Sequence, residues 1–444
     1  TTSGTLLASN TVTSTGSANT TGALTLGAAV TSLTIDATTN LTTGAVSNST
    51  AAALTTLTVT GAGKVDIDAG ALEATVKTID ASGNSGGFHV DMPTLVTATL
   101  TGGTGDDRIA SNAVLTTGSV DAGAGTDTLV LDNATYVATA ALGGKYTNFE
   151  TLEVNGVSQD VSLVSGITTV NVGAATAKAF TNLTASHASG GIGVLGDQAT
   201  SATFALANAT GTADVLTLNL GTGLLATAST DLATSLVVTG FETLNLNTNQ
   251  GPSATAANSV STVGAITGAT LANINLTGGG FSIANAATTL ATTIDGSALT
   301  GVLTVGGNVI AGTTVTGGAG KDLFTAGTNN GATYTGGANN DQLTATVAQM
   351  VATGANDTTF AGGAGTDTLV ISDATATVTD NHFMNVSGIE ALTFSGTGSV
   401  SATGGAAFNS AVDGAVTITD GVTATTKTVT IAMGLATDNI TKKA

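Results

Sequence analysis

Apolar and polar positions alternate in short bursts along this chain, and a turn of small residues follows each burst. A four-residue unit recurs: Thr or Ser, an aliphatic or aromatic residue, a small polar residue, then usually Gly or Ala. It reads TIDA at 34–37, TVTG at 58–61, TIDA at 78–81, TLTG at 99–102 and SVDA at 119–122. Its apolar members Ile35, Val59, Ile79, Leu100 and Val120 are spaced 24, 20, 21 and 20 residues apart. The unit returns as TIDG at 293–296, TVTG at 314–317, TYTG at 333–336, TFAG at 359–362, TFSG at 393–396 and TITD at 417–420. Period-two alternation predicts strands, and one turn per twenty or so residues predicts coils that bury their inward Val, Ile and Leu only by stacking. The expected fold class is all-β, a parallel β-solenoid with β-roll-like coils. An antiparallel sandwich, which also places strands every 8–12 residues, is the alternative.

A longer repeat overlies the short one. Residues 122–156 parallel residues 362–396, and Asp127 to Glu150 and Asp367 to Glu390 are both 23 residues, with the two copies 240 apart. Parts of it recur as GTADVLTLNL at 211–220 and GFETLNLNT at 240–248. The chain is therefore expected to hold a first solenoid over 1–156, a region over 157–265 that is either a more irregular β domain or includes a short helix near 221–236, and a second solenoid over 266–444.

Composition sharpens this. Charged residues make up 9% of the 444 residues and aromatics 3%, against about 25% charged in an ordinary globular protein. A 41% hydrophobic share and only two Pro argue against disorder. Net charge is −20, and 24 of the 29 acids are Asp, short carboxylates suited to turns. Arg108 is the only Arg, so phosphate recognition through arginine forks is implausible and no nucleic-acid partner is expected. Without Cys there is neither a disulfide framework nor a thiolate metal site. No apolar run approaches the roughly 18 residues of a membrane helix, so no membrane insertion is expected. The first residue is Thr1 rather than Met, which suits a processed chain or a piece of a longer one.

The sharpest motif is the nonapeptide G-G-x-G-x-D-x-U-x, with U a large apolar residue. It occurs as GGTGDDRIA at 102–110, GGAGKDLFT at 317–325 and GGAGTDTLV at 362–370, and with one departure each as AGAGTDTLV at 122–130 (Ala122 for the first Gly) and GGANNDQLT at 336–344 (Asn339 for the fourth-position Gly). Glycines let a loop turn its carbonyls toward one point, the sixth-position Asp adds a carboxylate, and the eighth residue enters the core. Calcium takes six to eight oxygens from such donors. One loop has too few, whereas two loops a coil apart could share an ion. Asp107 and Asp127 are 20 apart and Asp322 and Asp341 are 19 apart. Asp367 follows Asp341 by 26, so it stacks only if a small insertion bulges out. The plain reading of such loops is β-turns whose Asp caps its own backbone.

These nonapeptides resemble those of the RTX calcium-binding family, over about 102–130 and 317–370. The resemblance implies that calcium is bound between successive loops. It implies side-chain ligands at Asp107, Asp127, Asp322, Asp341 and Asp367, and carbonyl ligands near Gly102, Thr104, Gly123, Gly317, Ala319, Gly336, Ala338 and Gly362. The copies here lie 19–26 residues apart rather than nine, which favours isolated sites over a continuous metal row. The block GGAGTDTLV followed by NFETL, GFETL or GIEAL also resembles the calcium-dependent surface-layer proteins of Gram-negative bacteria, exported by type I machinery. That likeness implies an extracellular structural protein that self-assembles into a lattice or fibre, anchored on cell-surface polysaccharide. A type I-secreted adhesin or biofilm matrix fibre is the alternative.

Enzymatic motifs are weak. GNSGG at 83–87 fits G-x-S-x-G, but a nucleophile elbow needs a strand–turn–helix context. There is no HExxH, His89, His187 and His382 are dispersed, and GGAGKD at 317–322 lacks the Ser or Thr that a phosphate loop needs after Lys. No enzyme is expected. Glu150, Glu242 and Glu390 read as strand-start carboxylates bonded to a nearby amide or Thr, with a metal or lattice-contact role as the alternative.

Overall fold

The computed structural model describes residues 7–67, 72–221, 231–232, 235–248, 260–285, 293–307, 309–327, 331–350, 357–420, 429–433 and 440–442. It is 49% strand and 8% helix, built of parallel stacked coils averaging 23 residues, a β-solenoid. The chain divides into two compact units, Thr1–Ile192 and Gly193–Ala444.

In the first unit two parallel sheets run side by side along the stack. One orders the strands Ser9–Ser14, Ser32–Ala37, Thr56–Gly61, Thr78–Asn84, Thr99–Thr101, Ser119–Asp121 and Tyr146–Thr147. The other includes Val65–Ile67, Phe88–Asp91, Arg108–Ala110, Thr128–Leu131 and Thr151–Val154. Side chains alternate in and out of each strand, so one apolar residue per strand stacks on its counterpart in the next. Leu33, Leu57, Ile79, Leu100, Val120 and Tyr146 form such a column by strand register, and all are buried. Burying each is worth about 1.5–3 kcal/mol. Ile79 pairs with Leu57, not with Val59 of the TVTG unit, so it continues the column of Leu33 rather than that of Ile35 and Val59.

The second unit repeats the plan. Ile294, Val315, Tyr334 and Phe360 form one buried column. Phe394 and Ile418, from TFSG and TITD, belong instead to the facing sheet, where they pair with Ile371 and Leu392. Strands within 157–265 are also parallel. Their coils lengthen, however: Ser201 pairs with Ser235 and Val215 with Thr243, steps of 34 and 28 residues. The helix expected near 221–236 falls mostly outside the described residues, and its last two positions open the strand Ser235–Thr239.

Candidate metal centre in stacked carboxylates

Each nonapeptide turns a corner from one sheet to the other. Residues 102–107 join Thr99–Thr101 to Arg108–Ala110, and residues 317–322 join Thr314–Thr316 to Leu323–Thr325. Parallel register places the sixth-position residues directly above one another, about 4.8 Å apart. Asp107 and Asp127 thus occupy successive rungs of the first unit. Asp322, Asp341 and Asp367 occupy successive rungs of the second. Asp367 does stack: the longer step before it includes a 3-10 turn at Val347–Met350.

The carboxylates are buried, between 0% and 1% exposed, and each is bonded across the rungs. Asp127 Oδ1 accepts from the Asp107 amide at 2.7 Å, and Asp107 Oδ1 from the Phe88 amide at 2.7 Å. In the second unit Asp341 Oδ1 accepts from the Asp322 amide and Asp367 Oδ1 from the Asp341 amide, both at 2.7 Å. Each column closes on a glutamate. Glu150 Oε2 accepts from the Asp127 amide at 2.8 Å and Glu390 Oε2 from the Asp367 amide at 2.7 Å. A third, shorter column has Glu242 Oε2 on the Asp214 amide at 2.8 Å. The glutamates therefore play the amide-bonding part expected of them. Asp214 was not singled out in the sequence, although DVLTL at 214–218 echoes DTLVL at 127–131.

The second oxygens differ. Asp107 Oδ2 accepts from the Gly103 amide at 3.1 Å and Asp322 Oδ2 from the Gly318 amide at 2.7 Å. By contrast, Oδ2 of Asp127, Asp341 and Asp367 is buried with no hydrogen-bond partner among the described residues. Burial disfavours the charged form. It pushes Asp127 up to about 7, against the pull of the Asp107 amide, with the Asp107 and Glu150 charges adding to the rise. Burial likewise lifts Asp341 to about 7 and Asp322 to about 6, and raises Asp107 and Asp367.

Carbonyl oxygens come in beside them. A Cβ placed on Gly336 would stand 2.3 Å from both Asp341 Oδ2 and the Gly362 carbonyl. On Gly317 it would stand 2.1 Å from Asp322 Oδ2 and 2.2 Å from the Gly336 carbonyl. Gly102 faces Asp107 Oδ2 and the Ala122 carbonyl in the same way, and Gly362 faces Asp367 Oδ2 and the Gly388 carbonyl. Only glycine hydrogens fit there. The other expected carbonyl donors are less concentrated. Ala319 O takes the Asn339 side-chain amide at 2.5 Å, Thr104 and Ala338 bond through their amides to Asn84 and Gly318, and Gly123 sits at φ 95° against Gly103 O.

The donor set is thus all oxygen, unpartnered in part, and the ion pairs Lys64–Asp66, His89–Asp66 and Arg108–Glu153 lie elsewhere. That chemistry fits a hard cation. The geometry limits it to one available carboxylate oxygen on a rung, with carbonyls making up the rest. No group of three or more His, Cys, Asp or Glu able to hold a metal occurs among the described residues.

The weak enzymatic motifs lie apart among the described residues. GNSGG links strand Thr78–Asn84 to strand Phe88–Asp91, so its serine is on a strand–turn–strand corner. His187 caps the helix Ala185–Gly190 through the Thr184 amide and meets the Ile167 carbonyl at 2.7 Å. His382 bonds the Thr379 amide in the same manner. Comparison with protein families, with curated proteins and with solved structures finds no match to this chain.

Proposed function

We propose that this chain is an extracellular structural protein, a calcium-stapled solenoid that assembles with copies of itself into a surface layer. One observation carries the reading: two columns of buried carboxylates with bare second oxygens, in a chain of net charge −20. At neutral pH such a stack needs a proton or a cation on each bare oxygen. Calcium would supply that charge, held by Asp127, Asp341 and Asp367 through Oδ2 and by carbonyls such as those of Gly336 and Gly362. An ion that binds only the folded chain stabilises it by roughly 2.7 kcal/mol per site at a hundredfold excess over Kd. Several such sites would decide whether the chain is folded. Open strand edges support lateral assembly; among the described residues Ser9–Ser14 has a strand neighbour on one side only. A secreted adhesin that grips a glycan is the second reading, favoured by a charged cavity in the first unit.

Circular dichroism in chelator and then in calcium, with negative-stain images of the same samples, tests the first reading. Calcium should restore β signal and turn isolated particles into two-dimensional sheets. Identical spectra and images in both conditions would sink it.

A further inference from the structure

The first unit holds a cavity of about 210 Å³ whose polar lining is Asp91, Arg108, Ser111, Asn112, Asp132 and Asn155. Successive rungs build it. Asp91 pairs with Ala110, Ala110 with Val130 and Val130 with Glu153, so four neighbouring strands each bring one side of it. Glu153 Oε1 accepts from Arg108 Nη2 at 2.8 Å and from Asn155 Nδ2 at 2.9 Å, which fixes both donors. Ser111 Oγ lies 2.5 Å from the buried Tyr146 hydroxyl. The ion pairs Lys64–Asp66, His89–Asp66 and Arg108–Glu153 lie on or beside the strands of this sheet.

The fold itself does not require these charges. In the parallel block 240 residues on, Asp132, Glu153 and Asn155 are replaced by Ser372, Thr393 and Ser395. Gln342 pairs with Thr368 as Arg108 pairs with Thr128, so the only Arg of the chain also has an uncharged counterpart. The same coils stack without them.

Chemistry narrows the occupant. The cavity is smaller than the roughly 300–1,000 Å³ of a drug-sized site, and its lining has no aromatic platform. Arg108 is paired with Glu153 and the carboxylate of Asp132 stands in the same lining, so phosphates and uronates are repelled. A divalent ion would face a guanidinium with only two carboxylates to hold it. A ring of neighbouring hydroxyls suits the mixture, since carboxylates accept from pairs of hydroxyls while guanidinium and amide groups donate to them. We propose that this cavity binds one sugar unit of a neutral or amino glycan. The site shares no carboxylate with the aspartate columns and stands whether or not those bind calcium.

Saturation-transfer NMR on the full chain, with D-glucose, D-glucosamine and D-glucuronate at millimolar concentration as probes, tests this. Glucose or glucosamine should receive saturation and glucuronate should not. The double variant D132S/N155S, which installs the residues of the second block, should lose about tenfold or more in affinity, the worth of one charge-assisted hydrogen bond. Its thermal midpoint should stay at the wild-type value; if it does not, R108Q/E153T replaces it as the test of the same loss. No saturation of any probe, equal binding by wild type and the folded variant, or preference for the uronate would each overturn the assignment.

Discussion

Asp341 spends one oxygen on the Asp322 amide and leaves the other bare and buried, so its two oxygens can be tested separately. Asp341→Asn keeps an acceptor for the amide and removes the charge. It should stabilise the chelated protein at neutral pH and blunt its response to calcium in thermal melts. Asp341→Ala orphans the Asp322 amide and should cost about 1–3 kcal/mol with or without calcium. The pH dependence has a defined sign. Folding raises these carboxyls above their ordinary value near 4, so protonation favours the folded chain. Their contribution is fully present below that range. It is lost as pH rises through about 6 for Asp322 and about 7 for Asp127 and Asp341. In chelator the thermal midpoint should therefore rise on acidification from about pH 8 to about pH 5, and calcium, which needs the ionised form, should flatten that slope. A midpoint that falls over the same interval would show that burial does not govern these groups. The letters of the motif made the aspartates legible, but not which way they point. A side chain that reaches across to the preceding rung's amide depends on register, which no single loop encodes.

At the level of the coil, the first glycine of four of the five loops, Gly102, Gly317, Gly336 and Gly362, is fixed by packing rather than by backbone angle, while Ala122 holds that place in the fifth. Gly336→Ala would set a methyl 2.3 Å from Asp341 Oδ2 and from the Gly362 carbonyl. Spreading those rungs should cost about 1–3 kcal/mol, read as a lower urea midpoint. Leu100→Ala, in the middle of a buried apolar column, should cost about 2–5 kcal/mol by the same measurement. Alternation and turn spacing were enough to foresee stacked parallel strands. They misassigned the partner of Ile79 and the sheet of Phe394, because a coil alternates on two faces and the two strands of one coil look alike in sequence. A shift of two residues keeps every side chain on its own side, so hydrophobic pattern cannot detect it.

Over the molecule as a whole, stability is a sum of coils and of the interfaces between them, working against twenty net negative charges. Salt screens such repulsion. In chelator, added sodium chloride should therefore raise the thermal midpoint, and calcium should add an increment that survives at high salt, since buried oxygens are screened far less than surface ones. Loss of the calcium increment at high salt would place its action on the surface instead. The doubled block was legible from the constant 240-residue offset. The charged cavity was not, because its side chains come from four rungs spread over 91–155 and share no motif.

The three carboxylate columns contain one, two and three aspartates before the glutamate: Asp214 alone, Asp107 with Asp127, and Asp322 with Asp341 and Asp367. Since every amide is met by the carboxylate of the rung after it, an extra Asp-bearing coil slipped in ahead of the glutamate leaves no donor stranded, and neither does excising one. Length in this architecture is an adjustable parameter, and a shortened or extended version can be made by editing whole coils while the closing residue stays in place.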